Sequence, residues 1–190
     1  MLDIDPRSGL LGEAAYHPSP NCDERPSEID IDLLVVHSIS LPPGEYGGSF
    51  ICDFFQNKLA PNAHPYFQQI SHLKVSAHVL IGRDGEFFQF VPFHKRAWHA
   101  GVSSFEGREK CNDFSIGIEL EGTDDTPFRT IQYWKLAQLI NALRATYPSM
   151  SDCPVVGHSN IAPGRKTDPG TEFEWSRLRR LLATANGRLL

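Results

Sequence analysis

The sequence of 190 residues has no long apolar run. Its longest, Leu33 to Val36 between Asp32 and His37, is far short of the roughly 20 residues that cross a bilayer. The opening residues Met1 to Pro6 are acidic and lack the basic start and apolar core of about 7–15 residues that mark a secretory signal. Export is therefore not expected, and the chain is placed in the cytoplasm. Cysteine is sparse and scattered: Cys22, Cys52, Cys111 and Cys153 form no Cys-x-x-Cys pair, and without secretion they read as reduced thiols rather than two disulfides. Excess positive charge is also missing. The 18 Lys and Arg stand against 23 Asp and Glu, a net charge of -5, so no footprint for nucleic acid or anionic lipid is present and neither is expected as a partner. The eight histidines include no His-Glu-x-x-His, which removes the commonest local zinc signature.

What remains is the composition of an ordinary soluble domain, 41% hydrophobic and 22% charged. A chain of this length buries roughly 70% of its unfolded surface and needs neither disulfide nor metal to fold. Residues 1–30, rich in Pro, Asp, Glu and Ser, read as an irregular arm packed on a body spanning 31–185. Asp32 to His37 is a short β-branched run, a buried strand whose last residue emerges at the sheet edge. After the turn-rich stretch Leu41 to Gly48, Ser49 is placed to cap a helix reaching about Leu59, with Phe50, Phe54 and Phe55 facing inward. Strands are expected over 77–81 and 86–91, joined by the hairpin signal Arg83-Asp84-Gly85. Another is expected over 115–120, where Gly117 permits close packing. Ile131, Trp134, Ala137, Ile140 and Leu143 follow helical spacing over 130–147, and Pro148 ends that helix. Pro154 to His158 reads as a last strand ending in histidine. Thr171 with Glu174 is a capping-box pattern for a helix starting near Phe173. Alternating strands and helices predict one α/β domain with a central sheet.

Most histidines need no metal. His17, His64, His72 and His94 sit in polar or Pro-containing contexts and read as surface residues, and His78 reads as a satisfied strand histidine. His37 and His158 differ because each ends a buried strand, where a side chain reaches a cleft while the backbone stays rigid. Asp168 follows in the loop after His158. Two neutral imidazoles and a carboxylate would give zinc three ligands and leave a fourth position for water. Equally, Asp168 reads as opening the turn before Pro169 and Gly170, and chain order does not separate the two readings. Glu119 and Glu121 flank Leu120, so both carboxylates leave the same strand face. Glu121 beside Gly122 reads as a solvated residue, whereas Glu119 lies where an unpaired charge is costly and is the stronger catalytic candidate. Lys166, two residues before Asp168, would bring a cation that stabilises an oxyanion, or is a solvated lysine.

Six segments, Leu34–Gly44, Pro61–Tyr66, Val75–His78, Arg96–Ser103, Cys111–Asp124 and Arg165–Gly170, closely resemble the AmpD family. These are cytoplasmic 1,6-anhydro-N-acetylmuramyl-L-alanine amidases within the wider zinc amidase and peptidoglycan-recognition superfamily. The resemblance runs from about Pro18 to Leu182. It implies a mixed sheet flanked by helices, with Zn(2+) in a surface cleft. Matched position by position, it puts the metal ligands on His37, His158 and Asp168, the proton acceptor on Glu119 and the transition-state stabiliser on Lys166. It implies hydrolysis of the amide between anhydro-muramic acid and L-alanine in recycled muropeptides, and so a small glycopeptide substrate; a monomer is expected. Substrate contacts are expected from Ser38, Tyr66, Lys74, Trp98, His99 and Lys110. Ser38 and Gly164 depart from the family's Asn and Glu. Lys74 and Lys110 replace an Arg found in some relatives, keeping the charge but losing the bidentate fork. Other readings are a muropeptide-binding module without catalysis, an amidase of intact cell wall, and a peptidase cutting within the stem peptide.

Overall fold

In the structure, a computed structural model, residues 2–184 are described; the expected end of the domain at residue 185 lies outside them. In chain order the strands are β1 (Ile4–Asp5), β2 (Leu10–Leu11), β3 (Ala15–Tyr16), β4 (Cys22–Asp23), β5 (Leu33–Ile39), β6 (Val79–Ile81), β7 (Phe87–Gln89), β8 (Arg96–Ala97), β9 (Ser104–Phe105), β10 (Arg108–Glu109), β11 (Ser115–Glu121) and β12 (Val155–Gly157). The α-helices are α1 (Phe50–Phe55), α2 (Phe67–Ile70), α3 (Thr130–Thr146), α4 (His158–Ile161) and α5 (Trp175–Ala183). Six strands form the main sheet in the order β12-β5-β11-β6-β7-β3. β12, β5, β11 and β6 run parallel, β7 is antiparallel to β6, and β3 is parallel to β7. The sheet is therefore mixed, as the resemblance implied. The N-terminal arm, expected to be irregular, carries four two-residue strands, of which β3 completes the main sheet and β4 pairs with β8.

The buried apolar run of β5 suits an inner parallel strand covered on both faces. Leu34 and Val36, with Ile116, Ile118 and Leu120 of β11, pack beneath Leu136, Leu139, Ile140 and Leu143 of α3. Burying each such side chain fully contributes roughly 1.5–3 kcal/mol. By the two-residue period of a strand, their neighbours His37, Ser115, Gly117, Glu119 and Glu121 leave the sheet on its other face. The helix α3 is rotated from the expected face: Ile131 and Trp134 are half-buried, and Gln132, Tyr133 and Leu136 take the inner positions. Gln132 explains this. Its Oε1 accepts from Arg129 N–H at 3.0 Å and its Nε2 donates to the Glu121 carbonyl at 2.9 Å, tying the helix start to the sheet.

Three helix boundaries differ from expectation. α1 stops at Phe55 rather than near Leu59, since Asn57 adopts a φ of 59°, and the Ser49 hydroxyl donates to Asp53 instead of capping the helix. The Thr171/Glu174 box does not form. Glu174 N–H donates instead to the Tyr133 hydroxyl at 2.7 Å, and α5 starts at Trp175. β12 ends at Gly157, so His158 opens α4 rather than closing a strand. All four cysteines are free, and among the described residues no helix is long and apolar enough to cross a membrane.

Candidate metal centre

The parallel strands β5, β11 and β12 end on one edge of the sheet, the position where open α/β sheets hold ligands. Register places His37 beside Glu119, and Gly157 beside Val36, so His158 emerges next to His37. The loop after α4 returns the third side chain. Ser159 N–H donates to the Asp168 carbonyl at 3.0 Å, and Lys166 N–H to the Ala162 carbonyl at 3.0 Å. Gly164 adopts a φ of 77°, a conformation that costs an L-residue roughly 1–2 kcal/mol.

His37 Nδ1, His158 Nδ1 and Asp168 Oδ2 converge: the two nitrogens are 3.0 Å apart, and the carboxylate oxygen lies 3.1 Å from His37 and 3.0 Å from His158. His158 Nε2 is 3.1 Å from the Ala100 carbonyl oxygen. A carbonyl only accepts, so the proton of a neutral His158 is on Nε2 and its Nδ1 offers a lone pair. Burial pushes His37 down to about 4, against the opposing pull of Asp168. At Asp168, burial raises the carboxyl, but hydrogen bonds and charge from His158 and His37 outweigh it and hold the group below the usual range. The site thus gathers three acceptor atoms, a set that a cation can bridge. Glu119 stands beside His37 in the sheet. It is buried, its Oε2 has no hydrogen-bond partner, and burial followed by the charge of Asp168 holds it well above the usual carboxylate range. The donor set fits zinc: bonds of roughly 2.0–2.1 Å in a tetrahedron put donor atoms about 3.3 Å apart, close to the spacing observed.

A cleft of about 570 Å³ opens over these groups, within the roughly 300–1,000 Å³ of small-ligand sites. Its polar side includes Ser38, Asp124, Lys166 and the converging triad, and its apolar side is built from Leu41, Phe54, Phe55, Ile70, Leu73 and Val75. Of the expected substrate contacts, Ser38, Tyr66 and His99 line the cleft. The Ser38 hydroxyl donates to Asp124 at 3.3 Å. His99 reaches the triad, with Nδ1 2.9 Å from His37 Nε2. The structure does not bring the other three to the cleft lining. Lys74 is exposed between Leu73 and Val75. The Trp98 side chain donates to the Asp23 carboxylate. Lys110 lines a separate cavity of about 550 Å³ with Arg165.

Two features were missed in the sequence. Glu121, expected to be solvated, is 4% exposed; its Oε1 accepts from Gly47 N–H at 2.5 Å and its Oε2 from Arg83 N–H at 3.1 Å. It fastens the Leu41–Gly48 loop at the cleft rim. Arg25, in the arm, donates to the carbonyls of Asn112, Asp113, Phe93 and Ser115, and burial pushes its guanidinium down to about 10. His78, by contrast, is satisfied as expected, although it lies just before β6 rather than within it: Gly117 N–H donates to its Nδ1 at 3.0 Å, and burial pushes it down to about 3.

The chain is similar to known amidases. The family profile described as N-acetylmuramoyl-L-alanine amidase matches residues 27–171. The 1,6-anhydro-N-acetylmuramyl-L-alanine amidase AmpD of Citrobacter freundii is 58% identical over 178 residues, 94% of this chain and 95% of its own length. The crystal structure of a selenomethionine AmpD derivative superposes with a TM-score of 0.90 at 57% identity, covering 94% of this chain and 98% of that one. A complex of the Escherichia coli amidase AmiD with its substrate anhydro-N-acetylmuramic acid-L-Ala-D-gamma-Glu-L-Lys matches with a TM-score of 0.57 at 30% identity, over 82% of this chain and 60% of that one.

Proposed function

Since the chain belongs to the N-acetylmuramoyl-L-alanine amidase family, we propose that it hydrolyses the amide between 1,6-anhydro-N-acetylmuramic acid and L-alanine in muropeptides, as a zinc-dependent cytoplasmic monomer of cell-wall recycling. The observation that carries this reading is the convergence of His37 Nδ1, His158 Nδ1 and Asp168 Oδ2 beside a buried, unpartnered Glu119. Those three residues would hold zinc, which when bound supplies Lewis acidity and a water made acidic enough to ionise near pH ~7.

The protein's own groups do the rest. Glu119, with its proton affinity raised by burial, takes the proton of the attacking water and delivers it to the leaving L-alanine nitrogen. The exposed Lys166 side chain, on the same cleft, stabilises the negative charge that develops on the lactyl carbonyl oxygen. The apolar wall of Leu41, Phe54 and Phe55 excludes water from one side of the scissile bond. Ser38 with Asp124, and Tyr66, present hydrogen-bonding groups to sugar and peptide. Lys74, Trp98 and Lys110 would act only on parts of the substrate that extend beyond the cleft. A binding module has no use for a proton acceptor at Glu119, so catalysis is the better reading.

The test is product analysis by mass spectrometry on anhydro-muramyl-tripeptide and on its reduced and polymeric counterparts, with and without chelator. Release of free tripeptide from the anhydro substrate, lost on chelation and restored by zinc, is expected. Full activity after chelation would overturn the metal reading, and preference for polymer would overturn the recycling one.

A further inference from the structure

Behind His37 lies a line of polar groups that the proposed chemistry does not use, and its hydrogen-bond polarity can be assigned atom by atom. The line begins at the Cys111 carbonyl, which only accepts. Ser115 Oγ is 2.5 Å from that oxygen, so the hydroxyl's single proton points there. Ser115 Oγ is then left to accept, and His99 Nε2, 3.1 Å away, must be the donor. With its proton on Nε2, the His99 ring offers only a lone pair at Nδ1, and that atom stands 2.9 Å from His37 Nε2. His37 therefore carries its proton on Nε2, and its Nδ1 lone pair faces His158 and Asp168.

We propose that His99, polarised by Ser115, is a positioning residue that fixes His37 in the one tautomer able to present Nδ1 to a divalent cation. His158 reaches the same proton placement by a different device, its contact with the Ala100 carbonyl at 3.1 Å. The sheet is shaped for this ring. A Cβ on Gly117 would come within 2.4 Å of His99 Cγ, so only glycine leaves room. Ser115 is fully buried, and the His37 and His99 rings meet edge-on at 86° with centroids 5.0 Å apart. His99 thus acts on the metal ligand as well as bordering the cleft. A partner that orients a metal-binding imidazole typically carries about 10–100-fold of metal affinity.

The inference rests on the reading of His37 as a ligand, and the test separates the two. Long-range ¹H–¹⁵N correlation spectra of the wild-type chain, metal-free and zinc-loaded, report which nitrogen of each histidine is protonated. Zinc competition against a fluorescent chelator is measured for wild type, His37→Ala, His99→Phe, His99→Gln and Ser115→Ala. Expected are Nε2-protonated His99 and His37 in both states, and a zinc affinity lowered about 10–100-fold in His99→Phe and Ser115→Ala. His99→Gln, whose amide oxygen still accepts from His37, should recover most of that loss. A wild-type His99 protonated on Nδ1, or a folded His99→Phe chain with wild-type zinc affinity, would overturn the inference. If His37→Ala also binds zinc normally, the metal centre itself is wrong.

Discussion

Glu119 is the in-register neighbour of His37 across the parallel pair β5 and β11, and both side chains leave the sheet on its cleft face. The pairing sets the proposed proton acceptor beside the proposed metal-binding imidazole on two rigid backbones, so the distance between them does not depend on a loop. Removing the carboxylate's charge while keeping its shape should separate chemistry from metal binding. Glu119→Gln is expected to lower kcat by about 10²–10⁴ while zinc content, measured by elemental analysis, stays at wild-type level. Stability at neutral pH should hold or rise, since an acid whose proton affinity is raised by folding weakens the fold as pH climbs. A zinc-replete Glu119→Gln enzyme with wild-type turnover would remove Glu119 from the mechanism.

Glu121 makes a different prediction. Its buried carboxylate accepts from Gly47 and Arg83 N–H groups, and deleting it strands both donors. Glu121→Ala should cost about 1–3 kcal/mol in urea unfolding and raise KM, because Leu41 and Pro43 of the released loop line the cleft. Zinc affinity should not move. Unchanged KM with lowered stability would mean that the loop does not shape the substrate site.

The converging triad was legible as a candidate because its residues end or follow strands recognisable from a short β-branched run, but sequence spacing left Asp168 open between ligand and turn residue. The fold brings Asp168 to the two histidines: β12 pairs in register with β5, and the Ser159–Asp168 backbone bond closes the loop. The two-residue period put Glu119 and Glu121 on one face without saying what covers that face. Glu121 looked solvated because its partners are backbone amides 74 and 38 residues away, and local sequence carries no trace of such contacts. The same blindness hid the Tyr133–Glu174 bond that moves the start of α5, and it left Trp98 and His99 as equal candidates when only His99 reaches the cleft.

Gly117 offers a geometric test of the sheet floor. A methyl there would overlap the His99 ring, and overpacking of this kind costs typically 1–3 kcal/mol. Gly117→Ala should therefore lower the urea midpoint and, by moving His99, weaken zinc. The double variant Gly117→Ala with His99→Ala should recover stability but not zinc affinity, because the methyl then has space while the ring is gone. Recovery of neither would place the clash elsewhere.

The buried histidines set how the metal-free protein responds to acid. Burial lowers His37 to about 4 and His78 to about 3, and it also lowers His99 well below the ordinary imidazole value. Between pH ~6.5 and ~4 the unfolded chain takes up protons at these positions and the folded chain does not, so stability falls as pH drops, by up to about 1.4 kcal/mol per pH unit for each group. Glu119 works in the opposite sense, binding its proton more tightly when folded, but it is one group against three. Asp168, held below the usual carboxylate range, adds its own loss only at more acidic pH. The urea midpoint of the metal-free chain should therefore decline steadily from pH 7 to pH 5. Excess zinc should delay the decline, because a proton at His37 must displace the cation. A midpoint that stays level across that interval, with or without zinc, would show that these imidazoles are accessible to protons in the folded state and that the site is not held ready for a metal.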